Sequence, residues 1–298
     1  MTAIGEFAAR PFVEGLYFGE CPRWHDGRLW YSDFFANTVS SAGATGDTRV
    51  EVAVADEPAG LGWLPDGRLL VVARKARTVL RVEPDGRQVE HGDLRGLAGF
   101  HCNDMVVDAA GRAYVGNFGF DLDRFVAERG GAALYRPPGA PEASLLWVDP
   151  DGSTGVAATG VVFPNGAVIT DDGSTLILAE TLARRITAFD RAEDGTLSRR
   201  RLWASLEAGS PDGICLDAEG RVWVANAAAP ECLLLAEGGE VVGRVLTSQN
   251  CYACMLGGTD RRTLYLMTAP TGTDEVARAA PKGRIEQATV GVPGAGRP

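Results

Sequence analysis

Four residues with oxygen-bearing side chains, Glu20, Asn103, Asn165 and Asp212, each stand seven or eight positions ahead of a glycine in a recurring segment. Two carboxylates and two amide carbonyls are hard donors. Brought together they suit one divalent cation that prefers oxygen, Ca2+ first, with water filling its remaining positions. Mg2+ and Mn2+ share that preference, whereas Zn2+ fits less well because no His or Cys is arranged as its ligand. Asx side chains also head strands because they make turns readily, and at any single position that explanation suffices. The same register in four repeats favours the ligand reading. His101 lies two residues before Asn103, on the same side of an extended strand. There it can hydrogen-bond substrate or exchange a proton near neutral pH.

Such a set works only if separate chain segments deliver it to one place. The delivering element is a short strand that enters a turn, followed by a second apolar strand. It occurs six times: Glu20 to Phe34, Gly60 to Arg74, Asn103 to Asn117, Asn165 to Glu180, Asp212 to Asn226 and Cys254 to Thr268. Five copies turn on Gly27, Gly67, Gly111, Gly173 and Gly220, where a positive φ costs glycine little. The sixth has Arg261 or Arg262 at that place. Successive turn glycines lie 40, 44, 62 and 47 residues apart, and the sixth turn follows after about 41, the period of a four-stranded propeller blade. The chain therefore reads as all-β, a six-bladed β-propeller with four-stranded blades around a central channel, in one domain over residues 1–298. The aligned heads, Glu20, Ala59 or Gly60, Asn103, Asn165, Asp212 and Cys254, would ring that channel on one face.

Other features follow from this register. Outer strands alternate apolar and polar residues over Thr78 to Pro84 and Arg185 to Arg191. The 62-residue interval holds an insertion from Phe118 to Ala143, with charges, Gly-Gly and Pro-Pro, suited to a lid or a tolerated surface loop. A short helical turn is expected over Asp123 to Arg129. A strand near Phe12 to Tyr17 should pair with the segment Gly283 to Val290 and close the ring, which removes an open sheet edge.

Composition narrows the partners. Twenty-nine basic against 39 acidic residues give a net charge of -10, and no stretch clusters Lys and Arg as a phosphate-binding face would, so nucleic acid is not an expected partner. No run of eighteen apolar residues suggests a membrane span, and Met1 to Val13 lacks the apolar core of a signal peptide. A cytoplasmic protein is expected, with its six cysteines reduced. Cys251 and Cys254 form a C-x-x-C with no second pair to complete a zinc site, and they read as small apolar strand residues. No G-x-S-x-G, Walker A or dinucleotide fingerprint occurs.

The segments Gly19-Glu20-Cys21-Pro22, Asn103-Asp104, Pro164-Asn165-Gly166 and Pro211-Asp212-Gly213, in this order and with Gly257-Gly258 and Leu264-Tyr265 near the end, resemble the senescence marker protein, gluconolactonase and luciferin-regenerating enzyme family. The resemblance spans nearly the whole chain. It implies a six-bladed calcium-type propeller in which Glu20, Asn165 and Asp212 bind the metal. Asn103 would lie beside it and contact metal or substrate, and Asp212 would be the candidate general base. One departure concerns the substrate: sugar-acid lactonases of the family often carry Arg two residues before the channel Asn, and this chain has His101.

The expected activity is metal-assisted hydrolysis of a small-molecule lactone, with Asp212, or else His101, taking a proton from water and with Asn103 and His101 contacting substrate. A phosphotriester or other ester hydrolase on the same site is an alternative, as is a non-catalytic Ca2+-binding propeller. A pocket beside the metal residues, roofed by Phe118 to Ala143, would favour the enzyme. The oligomeric state is not legible.

Overall fold

In the computed structural model, which describes residues 5–206 and 209–298, the chain forms a six-bladed β-propeller. The innermost strands are Gly19–His25, Pro58–Trp63, Cys102–Val107, Pro164–Ile169, Pro211–Asp217 and Asn250–Gly257, one for each of blades 1 to 6. Their side chains are almost all buried, because each strand is covered by its own blade on one side and a neighbouring blade on the other. Packing at the axis demands small residues. A Cβ on Gly213 would stand 2.6 Å from the Cβ of Ala253 in the next blade, and one on Gly166 only 2.6 Å from the backbone nitrogen of Ile214. The glycines after Asn165 and Asp212 thus serve close strand approach, not turning.

The turns that end the innermost strands have the expected left-handed glycines, with φ between 72° and 94° at Gly27, Gly67, Gly111, Gly173 and Gly220. In blade 6 the place is taken by Arg261 at φ 55°. That strand carries one extra residue, so counting back from the turn stops short of the true head.

The ring closes in blade 6, where Arg10–Leu16 adds antiparallel to Gly283–Thr289 as the outermost strand. Blade 5 departs from the four-strand expectation. Gly5–Ala8 pairs parallel to its outer strand Val241–Leu246, and Gly294–Ala295 pairs with the turn end of its inner strand. Both chain ends are short pieces that satisfy backbone groups on otherwise open edges. Residues 1–4, part of the N-terminal segment discussed above, lie outside the described residues.

The insertion leaves blade 3 between its second and third strands and contains α1 (Leu122–Arg129), close to the expected helical turn. Asp121 caps it, accepting the Arg124 N–H at 3.0 Å. Phe125 and Leu134 bury against Phe163 and Leu182 at the mouth of blade 4, so the insertion is packed down, not dangling. A second helix, α2 (Asp274–Ala279), occupies the matching connection of blade 6; its six residues gave no readable period. All six cysteines are free and buried, with Cys254 Sγ 3.8 Å from Cys215 Sγ, as apolar strand residues would be.

Candidate active site

Each innermost strand carries a β-bulge directly at its head. The ladder with the second strand skips between Glu20 and Arg23, Pro58 and Leu61, Cys102 and Met105, Pro164 and Ala167, Pro211 and Ile214, and Cys251 and Ala253. A bulge breaks the alternation of side chains and re-aims the extra residue. The residues so released include Ala59, Asn103, Asn165, Asp212 and Tyr252; in blade 1 Glu20, paired with Ser32, is the last ladder residue before the skip. Blade 6 therefore presents Tyr252 to the mouth, and Cys254, placed in the ring by counting from the turn, packs instead against Cys215 between blades.

Three of these heads are held from behind by one device. The last residue of the second strand accepts the backbone N–H of the segment leading into the head: Asp33 from Phe18 at 3.0 Å, Glu180 from Val162 at 2.8 Å and Asn226 from Ser210 at 3.0 Å. These bonds pin the approaches to Glu20, Asn165 and Asp212.

Glu20, His101, Asn103, Asn165 and Asp212 all line a single cavity of about 400 Å3. Burial first, and then the nearby Asp104, push the Glu20 carboxyl up to about 8, although Cys21 N–H donates to its Oε2 at 3.0 Å. Asp212 is raised well above its ordinary value, again by burial first and then by Glu20 and Asp104, with a hydrogen bond from Asn165 acting in the opposite sense. Its Oδ1 is buried without a hydrogen-bond partner. Beneath them Arg23 is buried, donating to Asp104 Oδ1 at 2.6 Å and to the carbonyls of Leu61 and Pro22. Three acids against one Arg leave two formal negative charges when all are ionised. A dication restores neutrality, and two carboxylates with two amides provide the hard oxygens it needs, so the residues fit such an ion. Among the described residues no three of His, Cys, Asp and Glu gather as a metal site on their own, so amide oxygens are essential to this set.

His101 is half-buried and stacked on Phe100, with ring centroids 4.0 Å apart. Its pKa is lowered to about 4 by burial first, then by the charges of Arg74 and Lys75. It is therefore neutral at pH 7, a hydrogen-bonding group and a weak base.

Several residues of the cavity were not legible as site residues. Phe34, Arg74 and Phe118 each lie seven positions past a turn glycine, at Gly27, Gly67 and Gly111, where the second strand returns to the same mouth. Repeating the register count forward, as well as backward, would have found them. Arg74 is buried between Phe34 and Phe118, with its guanidinium 5.3 and 5.2 Å from the two ring centroids, and donates to Glu57 Oε2 at 2.6 Å. Phe163 holds φ 52°, a conformation that costs a bulky residue on the order of 1–3 kcal/mol, and thereby brings its ring to the cavity. Residues 121–124 of the insertion and Asp274 of α2 complete the rim.

Comparison with known proteins agrees with this architecture. Residues 18–270 match the model of the SMP-30/gluconolactonase/LRE-like region. The chain is similar to a pentonolactonase from Haloferax volcanii, 29% identical over 84% of this chain and 81% of that one. Among solved structures, a gluconolactonase from Xanthomonas campestris superposes with a TM-score of 0.74 at 22% identity, covering 96% of this chain and 89% of the other. A calcium-binding regucalcin from Agrobacterium tumefaciens superposes with a TM-score of 0.78 at 18% identity, covering 99% and 98%.

Proposed function

The chain belongs to the SMP-30/gluconolactonase/LRE-like family, and on that premise we propose that it is a hydrolase that opens a small lactone, using a divalent cation, Ca2+ by preference, held by Glu20, Asn165 and Asp212 with Asn103 alongside. The observation that carries this reading is two buried, mutually destabilising carboxylates opening on a cavity of small-molecule size. The similarity to a pentonolactonase supports the reaction, and the similarity to a calcium-binding propeller supports the ion. A cavity walled by the insertion favours an enzyme over a cation-binding scaffold.

When bound, the cation supplies Lewis acidity to the ring carbonyl and stabilises the developing oxyanion. Asn103 and His101, which line the same cavity, orient the substrate by hydrogen bonds. His101, made a weak base by burial, leaves the proton transfer to Asp212, whose Oδ1 has no other partner. Water bonds to the acyl carbon and gives its proton to Asp212; the acyl–oxygen ring bond breaks, and the proton passes to the leaving alkoxide. The product hydroxy acid ionises at neutral pH and releases one net proton.

Among the described residues no helix is long and apolar enough to cross a membrane. Six free thiols suit a reducing compartment, so the reading places the enzyme in the cytoplasm, acting on a small molecule.

The test is proton release from a lactone panel in weak buffer. Activity should vanish with chelator and return with Ca2+. Asp212→Asn keeps a carbonyl ligand but accepts no proton, so it should bind the ion measurably and lose on the order of 10²–10⁴-fold in turnover. Metal-independent hydrolysis would sink the reading.

A further inference from the structure

Above the polar floor, the cavity wall is a nearly continuous belt of aromatic rings. On one side Tyr252, Phe18 and Phe34 follow one another with centroids 4.8 and 5.6 Å apart. On the other, Phe100 stacks on His101 at 4.0 Å, His101 meets Phe118 at 6.1 Å, and Phe118 lies 4.3 Å from Phe163. The Arg74 guanidinium joins the two arcs, lying against Phe34 and Phe118. Six of these rings, those of Phe18, Phe34, Phe100, Phe118, Phe163 and Tyr252, line the cavity directly.

Apart from Asp123, the charged groups at the upper rim already have partners within the protein. Arg74 donates to Glu57 and to Asp274, Arg124 donates to Glu128 at 2.8 Å, and Asp121 caps α1. A polyhydroxylated ring entering here would leave hydroxyl groups facing phenyl faces, without partners and without water, which is costly for a buried polar group. An apolar substituent meets the opposite situation. The strained backbone of Phe163 holds one ring of the belt in position, so the apolar wall is built, not incidental.

We infer that the substrate is a lactone bearing an aryl or alkyl substituent: its ring carbonyl sits on the floor of Glu20, Asn103, Asn165 and Asp212, and the substituent lies along the aromatic belt. The inference rests on the lactonase reading above and names its substrate class.

The experiment compares γ-lactones of one ring size: γ-butyrolactone with increasing alkyl chains at the γ carbon, against a pentono-1,4-lactone, using Ca2+-loaded protein. In parallel, the matching γ-alkyl lactams, which resist hydrolysis, are titrated by calorimetry. The expected result is a kcat/KM that rises on the order of fourfold per methylene until the belt is filled, with lactam affinity rising in step. The pentono-1,4-lactone should be the poorest substrate. Phe118→Ala, or Phe100→Ala if the first variant folds poorly by circular dichroism, should flatten the dependence on chain length, chiefly through KM.

Turnover that is indifferent to chain length, or highest for the pentono-1,4-lactone, overturns the inference while leaving the lactonase reading standing. Lactam affinity that rises with chain length, without turnover of any lactone, overturns the lactonase reading and leaves the belt as an apolar binding site. A chain-length dependence unchanged in both Phe variants shows that the belt does not read the substituent.

Discussion

If Glu20 and Asp212 hold a cation as proposed, removing it should expose a proton-binding site whose cost is visible as a function of pH. In the metal-free protein Glu20 titrates at about 8 against an ordinary value of 4.5, a displacement caused first by burial. The folded value lies above the unfolded one, so its favourable contribution is complete below about pH 4.5 and is lost as pH rises through 8. The difference corresponds to about 5 kcal/mol, from the 1.36 kcal/mol carried by each pKa unit. Between pH 5 and pH 8.5 about 4 kcal/mol of this is lost, which the unfolding entropy of a chain of this length converts into a fall of about 6 °C in Tm. At pH 7 Glu20 is about nine-tenths protonated, so a binding dication must expel close to one proton from it, and more from Asp212, which is raised in the same direction. Calcium affinity should therefore climb by about tenfold or more per pH unit below 8. Scanning calorimetry with chelator and with Ca2+, from pH 5 to 8.5, reads both effects. Glu20→Gln should remove most of the metal-free slope. A Tm that is flat or rising with pH in chelator, together with a Ca2+ shift independent of pH, would refute the reasoning.

Three further perturbations probe the supports of the site. Arg23→Leu strands buried Asp104 beside Glu20 and should cost about 3–5 kcal/mol in urea unfolding, recovered in large part by adding Asp104→Leu. Gly213→Ala forces a Cβ to within 2.6 Å of Ala253 and should destabilise by about 1–3 kcal/mol while weakening Ca2+ binding at the adjacent Asp212, measured by thermal shift with and without the ion. Glu57 is held below its ordinary pKa by Lys75, Arg278 and Arg74 against the opposing effect of burial. Its contribution is present above the unfolded pKa and lost as pH falls through the folded one, so Glu57→Gln should lower stability at pH 7 and reduce the acid-side decline.

The fold was readable because a propeller writes its plan repeatedly. Six turns in one register identified the blades, and the C-terminal segment Gly283 to Val290 was matched to the N-terminal strand that closes the ring. The floor of the site was readable for the same reason, since Glu20, Asn103, Asn165 and Asp212 occupy one repeat position and all reach one cavity. Blade 6 was misread at its head because its strand carries an additional residue and its turn uses Arg261 in place of glycine, so the count landed on Cys254 where Tyr252 belongs. The bulges left no mark in the sequence. A bulge is a difference of one residue between two paired strands, and it exists only once the partner is known. The aromatic belt was equally hidden. Phe18, Phe100 and Phe163 come from before inner strands, Phe34 and Phe118 from after second strands, and Tyr252 from an inner-strand head, so no single backward count gathers them; α2 was too short to show a period.

The clasp in blade 6 has a consequence for how fast the protein comes apart. Blades 5 and 1, which supply Asp212 and Glu20, flank the one blade in which the chain's two ends are joined by hydrogen bonds alone. Peeling Arg10–Leu16 from blade 6, together with Gly5–Ala8 from blade 5, opens the ring without breaking a covalent link and lets those two blades separate. A cation held by Glu20 and Asp212, as proposed, would act as a rivet across that seam and would have to be released before the seam could gape. Its occupancy would then be felt in the unfolding rate, and in the lifetime of the protein against proteases, well beyond what its equilibrium affinity contributes.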